Sequence, residues 1–246
     1  MKLNQGKCHF ITSGCVEHLW LKVGEERIWE SRSEKLLGVT VDKNMDFNVH
    51  LLQLCKKASQ KVSALSRVAR ILLFNKRRII LKTFIESQFS YCPLVWMFCS
   101  RRMNRKMNYI HERALRLVYK DYVSSFTSLL RMDKSLSFHH RNIHNVATEM
   151  YKVKKDLCPS FMKEIFIYDV ANDKFIRPNV RRVDMGEKSL RSFGPIIWNT
   201  MLPDKMKSCP NVNVFKATIK SWIPDNCRCK LCKVYVPQLG YVDLFE

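Results

Sequence analysis

The stretch KLLGVTVDKNMDFNVHLLQLCKKASQKVSALSRVARIL, residues 35–72, decides how the chain is read. Its first part, LLGVTVD, is an apolar run with β-branched residues, and a turn rich in Asp and Asn follows. The second part has helical spacing: Leu51, Leu54, Ala58, Val62, Leu65, Ala69 and Leu72 share one side of a 3.6-residue repeat. Lys56, Lys57, Arg67 and Arg70 take most of the other side. The spacing therefore predicts a strand feeding a long helix with one face for a core and one cationic face. Asp46 stands just before the periodic run, where a carboxylate can accept from the free amides of a first helical turn.

The charge balance agrees with that face. The chain has 43 Lys plus Arg against 22 Asp plus Glu, a net +21 over 246 residues. Residues 51–120 hold 16 Lys or Arg and only the acids Glu86 and Glu112, so this window carries +14 of the total. A merely solvated surface mixes both signs. A concentrated positive field favours a polyanion, because each neutralised phosphate releases condensed counterions. The ten cysteines lie behind an N-terminus, MKLNQGKCHF, that has no apolar core of a leader peptide. Reduced thiols and a nuclear or cytoplasmic location, not secretion, are expected. The longest charge-free run, Ser87 to Ser100, is 14 residues and contains Pro93. A membrane span needs roughly 20 apolar residues, so this run reads as a buried, interrupted helix and no membrane partner is expected.

The first 42 residues read as β, with KCHFITS, HLWLKVG, ERIWES and LLGVTVD forming a small antiparallel set. Helical patterns follow from Asp46. Lys76 to Phe89 repeats the amphipathic spacing, Arg101 to Tyr119 is a third helix dense in Arg, Asp121 to Leu130 a short fourth and Ser137 to Leu157 a fifth. Phe161 to Ser192 is irregular, with two short strands expected around Gly186. Short helical turns around Pro195 and Pro203 precede a last amphipathic helix from Asn211 to Trp222, capped by Asn211 or Asn213. The fold class is α+β and predominantly helical, divided as residues 1–45, 46–157 and 158–246.

Several patterns bear on chemistry. Cys227, Cys229 and Cys232 form C-x-C-x-x-C among cations, a spacing that suits Zn²⁺. A closed site needs a fourth ligand, which Cys209 or a distant His would have to supply; the alternative is a reduced cysteine turn. His139, His140 and His144 share one helix, but Arg141 stands where a His-Glu-x-x-His base would be, so capping and core contacts are the simpler reading. Trp96, Phe98, Tyr109, Tyr119 and Tyr122 are interleaved with the basic helices and serve either base stacking or the core. No hydrolase constellation is present. A polymerase needs clustered carboxylates to hold two Mg²⁺ ions, and the chain has no adjacent Asp-Asp pair; Asp42 and Asp46 read as turn and cap residues. Residues alone thus support nucleic-acid binding through Lys56, Lys57, Lys61, Arg67, Arg70, Lys76, Arg77, Arg78, Arg101, Arg102, Arg105 and Lys106, without turnover.

The order of segments adds a resemblance. MKLNQGKCHFI, SEKLLGVTVDKNMDFNVHLLQLCKKASQKVSALSR, YCPLVWMFCSRR, IHERALRLVYKD, FHHRNIHNVATEMYKV, SFGPIIWNTMLP and FKATIKSWIPDNCRCKLCKVY follow one another across nearly the whole chain. Together they resemble the C-terminal portion of reverse transcriptases (RNA-directed DNA polymerases) of non-LTR retrotransposons of the jockey-like type. The resemblance implies that the first 45 residues are the end of a palm, with Lys7 where a palm lysine near the nucleotide phosphates is expected. It implies that Leu36, Leu37, Gly38 and Val39 form the primer grip, and that the basic helices are a thumb tracking RNA, DNA or their hybrid. The Cys227, Cys229 and Cys232 tail resembles the family's cysteine-bearing C-terminus.

The Mg²⁺-binding aspartates of that family are not in this sequence, so the chain alone is expected to be inactive, a fragment of a mobile-element gene with Met1 internal to a longer ancestral frame. Activity regained with a polymerase half supplied in trans is a further expectation. The competing expectation is a host-recruited nucleic-acid-binding or interaction module with no polymerase role.

Overall fold

A computed structural model describes residues 7–13, 19–179, 189–224 and 227, and the backbone of strands at 233–236 and 240–243. It is mostly helical, with small antiparallel strand pairs. β1 (Trp20–Val23) and β2 (Glu26–Trp29) form one hairpin, β3 (Ser33–Leu36) and β4 (Val39–Asp42) a second. These are separate two-stranded sheets, where the sequence reading expects one set. Lys7–Ser13 forms no strand. It lies beside the first hairpin through the Ser31 amide donating to the Phe10 carbonyl at 3.0 Å and the Thr12 amide donating to Glu30 Oε1 at 3.2 Å.

The second hairpin turns on Leu37 and Gly38, both at positive φ. Only glycine takes that region without a steric penalty, and a Cβ on Gly38 would lie 3.3 Å from the Tyr91 ring. The turn after β4 is closed by Asp42, whose Oδ1 accepts from the amides of Asn44 and Asp46. Asp46 in turn accepts from the Asn48 amide at 2.9 Å, the first residue of α1 (Asn48–Val68). Asp46 thus serves the first helical turn as expected, although the cap position itself is Phe47, in the left-handed region.

The second helix is less regular than its sequence suggests. α2 (Phe74–Ile80) widens into a π turn over Leu81–Ile85 and tightens into 3₁₀ over Glu86–Phe89. Pro93 does not end a helix but opens one, at the first position of α3 (Pro93–Trp96). α4 (Arg101–Tyr119), α5 (Phe126–Asp133) and α6 (Phe138–Lys154) start at Ser100, Ser125 and Ser137, each hydroxyl accepting a first-turn amide. After α7 (Phe161–Ile165), β5 (Tyr168–Asp169) pairs with β6 (Lys174–Phe175). The strands expected around Gly186 lie outside the described residues. α8 (Leu190–Ile196) carries Pro195 and runs into a π turn, Ile197–Met201. α9 (Asp204–Lys207) and α10 (Val212–Ile219) follow, the latter capped by Asn211, which accepts from Asn213 and Val214. β7 (Lys233–Val236) and β8 (Gly240–Asp243) close the tail as an antiparallel pair.

Two apolar cores result. The first gathers Leu51, Cys55, Ala58, Val62 and Leu65 of α1, Leu81, Ile85 and Phe89, the inward face of α4, and Phe126 and Leu129 of α5. The second centres on Trp198, Tyr151 and Phe215 and takes Ile143, Val146, Ala147, Met150 and Val153 from α6. α6 joins them, because its Phe138 belongs to the first core and the rest of its apolar face to the second.

Beside Phe138 sits a buried carboxylate. Glu86 accepts from Lys82 at 3.0 Å, His111 Nε2 at 3.0 Å and Arg141 at 2.5 Å. Lys82 also reaches Asp133 at 2.5 Å, which takes further bonds from Arg78 and Tyr119. Burial pushes the Glu86 carboxyl up, yet the bonds from His111 and Arg141 outweigh it and hold the group well below the usual carboxylate range. Removing one member of such a network strands the others in low dielectric. Glu86→Ala is expected to lower unfolding free energy by about 3–5 kcal/mol, read from urea denaturation; a loss of about 1 kcal/mol, as for an exposed pair, would contradict the arrangement.

Candidate nucleic-acid interface

α1 and α4 run side by side in the same direction. At their N-terminal ends Ser100 Oγ donates to Asn48 Oδ1 at 3.4 Å. At the other end the Arg77 guanidinium joins both helices, donating to the Val118 carbonyl at 2.9 Å, Leu72 at 2.7 Å and Ala69 at 3.3 Å. Cations satisfy the orphan carbonyls of helix C-termini and suit the negative end of the dipole.

Packing the apolar faces inward leaves the cations outside. Lys56, Lys57, Arg67 and Arg70 of the α1 region and Lys76 of α2 are exposed, as are Arg101, Arg102, Arg105 and Lys106 of α4. Lys61 is half-exposed, with its ammonium 5.9 Å from the Phe84 ring centroid. Two of the expected phosphate contacts are structural instead. Arg77 is only 6% exposed and spends its donors on the three carbonyls. Arg78 is bound to the Asp133 carboxylate at 2.9 Å. Sequence spacing gave no sign of this, because Val118 and Asp133 are distant in the chain.

The field is one-signed because the acids are consumed. Glu86 and Asp133 are buried in the network above, and Glu112 pairs with Arg116 at 2.5 Å. Elements converge near the start of α1. Burial, then the charges of Lys57 and Lys35, push the His50 imidazole below its ordinary value, so the β3 lysine and the α1 lysine act on one group. Burial raises the Cys55 thiol to about 11 against the pull of Lys106 on α4, and burial with the neighbouring Cys55 raises Cys99 to about 12. These are inert core thiols, and no disulfide joins the described cysteines.

The β3–β4 hairpin is tied to this surface at two points. The Thr40 amide donates to His50 Nδ1 at 3.3 Å, and the Tyr91 hydroxyl donates to the Leu37 carbonyl at 2.5 Å. Leu37, 83% exposed, and Leu36 stand out at the tip, whereas Val39 is buried. Lys7 is exposed in the segment beside the first hairpin. Of the aromatic residues singled out, Trp96 is core, Phe98 and Tyr119 are half-buried, and Tyr109 and Tyr122 are exposed.

Two of the three α6 histidines make contacts with the tail. His144 Nε2 lies 2.8 Å from the Trp222 carbonyl and its ring stacks on that indole. His139 Nε2 lies 3.9 Å from Cys227 Sγ, both side chains buried. Cys229 and Cys232 lie outside the described residues, and among the described ones no group of three or more His, Cys, Asp or Glu is placed to hold a metal. No described helix is long and apolar enough to cross a membrane. Comparison of the chain with protein-family models, curated proteins and solved structures gives no match.

His50 must be neutral at Nδ1 to accept the Thr40 amide, and burial likewise depresses His111 and His144. With folded-state pKa values below the unfolded one, the unfolded chain takes up protons first as pH falls through about 6.5, and stability declines with falling pH. Each histidine contributes at most about 1.4 kcal/mol per pH unit. His50→Gln is expected to flatten the stability slope below pH 6.5 by up to one proton; an unchanged slope would refute the assignment.

Proposed function

We propose that the chain is a C-terminal portion of a non-LTR-type reverse transcriptase that holds the backbone of a template–primer, RNA, DNA or their hybrid, without extending it. The observation that carries this reading is the array of exposed cations on two parallel helices, beside which Glu86 and Asp133 are buried and Glu112 is paired with Arg116. α1 and α4 take the thumb role, and the Leu36–Val39 turn the primer-grip role, held against α1 by His50 and against Tyr91. The order of sequence segments supports the same reading. Two-metal phosphoryl transfer needs paired carboxylates, and the sequence has no adjacent Asp-Asp pair, so in this reading a separate palm and fingers polypeptide supplies them.

Phosphate contacts predict strong salt dependence and little sequence preference. Affinity for a blunt RNA–DNA hybrid is expected to drop about 10³-fold or more between roughly 50 and 200 mM salt. Reversing Lys56, Lys57, Arg67 and Arg70 to Glu should weaken it further and reduce the logarithmic salt slope by about three to four, one per lost phosphate contact, with helicity retained. Equal binding by the reversed protein in a mobility-shift assay would sink the proposal.

For the tail we propose Zn²⁺ held by Cys227, Cys229 and Cys232 with His139 as the nitrogen ligand. Zn–S of about 2.3 Å and Zn–N of about 2.0 Å in a tetrahedron require S and N on the order of 3.6 Å apart, close to the observed 3.9 Å. Metal analysis of purified protein should find one equivalent of zinc, lost in His139→Ala; zinc-free protein would remove the site.

A further inference from the structure

The β1–β2 hairpin presents a surface that the basic helices do not. Its register pairs Trp20 with Trp29 and Lys22 with Arg27. Directly opposed residues of an antiparallel pair, and residues two apart on a strand, point to the same side. Trp20, Lys22, Arg27 and Trp29 therefore share one face, and Leu21, Val23, Glu26 and Ile28 the other. Both indoles are open to solvent, Trp20 at 44% and Trp29 at 60%, and both cations are exposed. The Arg27 guanidinium lies 4.6 Å from the Trp20 ring centroid. Of the eight paired residues only Glu26 is acidic, and it lies on the opposite face. The adjacent Glu30 carboxylate is taken up by Thr12 and Lys43.

An exposed cross-strand indole pair beside two cations combines the components that single-strand binders use: π faces for bases and positive charge for the backbone. Protein-docking cores are also rich in Trp and Arg but poor in Lys, so the Lys22 ammonium beside the indoles, on a chain of net charge +21, favours a polyanion. We propose that this hairpin face is a stacking platform for an unpaired nucleic-acid strand, with Trp20 and Trp29 taking bases and Lys22 and Arg27 the intervening phosphates. This rests on the reading of the chain as a nucleic-acid binder, and it assigns to a distinct surface the part of the ligand that is not base-paired.

The test uses the full chain, a fluorescein-labelled oligothymidylate and a blunt RNA–DNA hybrid, both followed by anisotropy. Trp20→Ala/Trp29→Ala should lose about tenfold or more on the oligothymidylate and leave the hybrid unaffected. Trp20→Phe/Trp29→Phe should hold most of the single-strand affinity. A second readout needs no substitution. The other three of the five tryptophans, Trp96, Trp198 and Trp222, are buried, so unlabelled oligothymidylate should quench the emission accessible to acrylamide. If the wild-type protein binds the hybrid but the alanine pair binds oligothymidylate as well as wild type, or no quenching occurs, the platform is overturned alone. If wild type binds neither nucleic acid at low salt, the thumb-like reading falls with it.

Discussion

A single carboxylate, Glu86, sets the terms on which the first core can close. It is buried where the 3₁₀ turn follows the widened turn of the second helix, and an unpaired charge there would be intolerable. Its partners come from Lys82 one turn earlier, His111 in the middle of α4 and Arg141 near the start of α6. Lys82 extends the chain of charges to Asp133 at the end of α5. The helices around Phe138 are therefore held in register by directional bonds, whereas apolar contacts alone would tolerate sliding. Buried ion networks often add little net stability over an apolar substitute. What this one adds is directional bonds that tie four helical segments to two buried carboxylates.

The same network shapes the surface. Two acids that would have quenched the cationic helices, Glu86 and Asp133, are inside, and Glu112 is taken up by Arg116. Arg77 is the counterexample that clarifies the rule. It lies within the basic run, yet it turns inward because the C-terminal carbonyls of two parallel helices end beside it. Net charge is thus divided between a structural share and an outward share, and only the second can meet a polyanion.

Periodicity made the long helices legible. α1 and α6 bury most of the residues their spacing marks, with Leu54 and Leu72 half-buried, and Asn211 begins the last helix as its side chain predicts. Local rules also located the Asp42 turn, but the Leu37–Gly38 turn divides LLGVTVD, a run whose composition reads as a single strand. What stayed hidden depended on distance in the chain. The Glu86–Arg141 bond spans 55 positions, and nothing local distinguishes Glu86 from a solvated acid on an amphipathic helix. The π turn at Leu81–Ile85 left no signature of its own. Trp20 and Trp29 read as ordinary strand aromatics, because alternation does not say which face a neighbour will cover. Their opposition follows from the two-residue turn at Gly24 and Glu25, once that register is known.

The parallel course of α1 and α4 has an electrostatic corollary. Most neighbouring helices in small bundles alternate direction, so their macrodipoles cancel. Here both positive ends lie together, beside the root of the β3–β4 hairpin, and neither first turn contains an acidic residue. Asp46, just ahead of α1, offsets part of the charge. Arg101 and Arg102 add to it at the head of α4. Positive potential is therefore concentrated at the hairpin end, where the two helix starts add to the charges of Arg101 and Arg102 within about one turn.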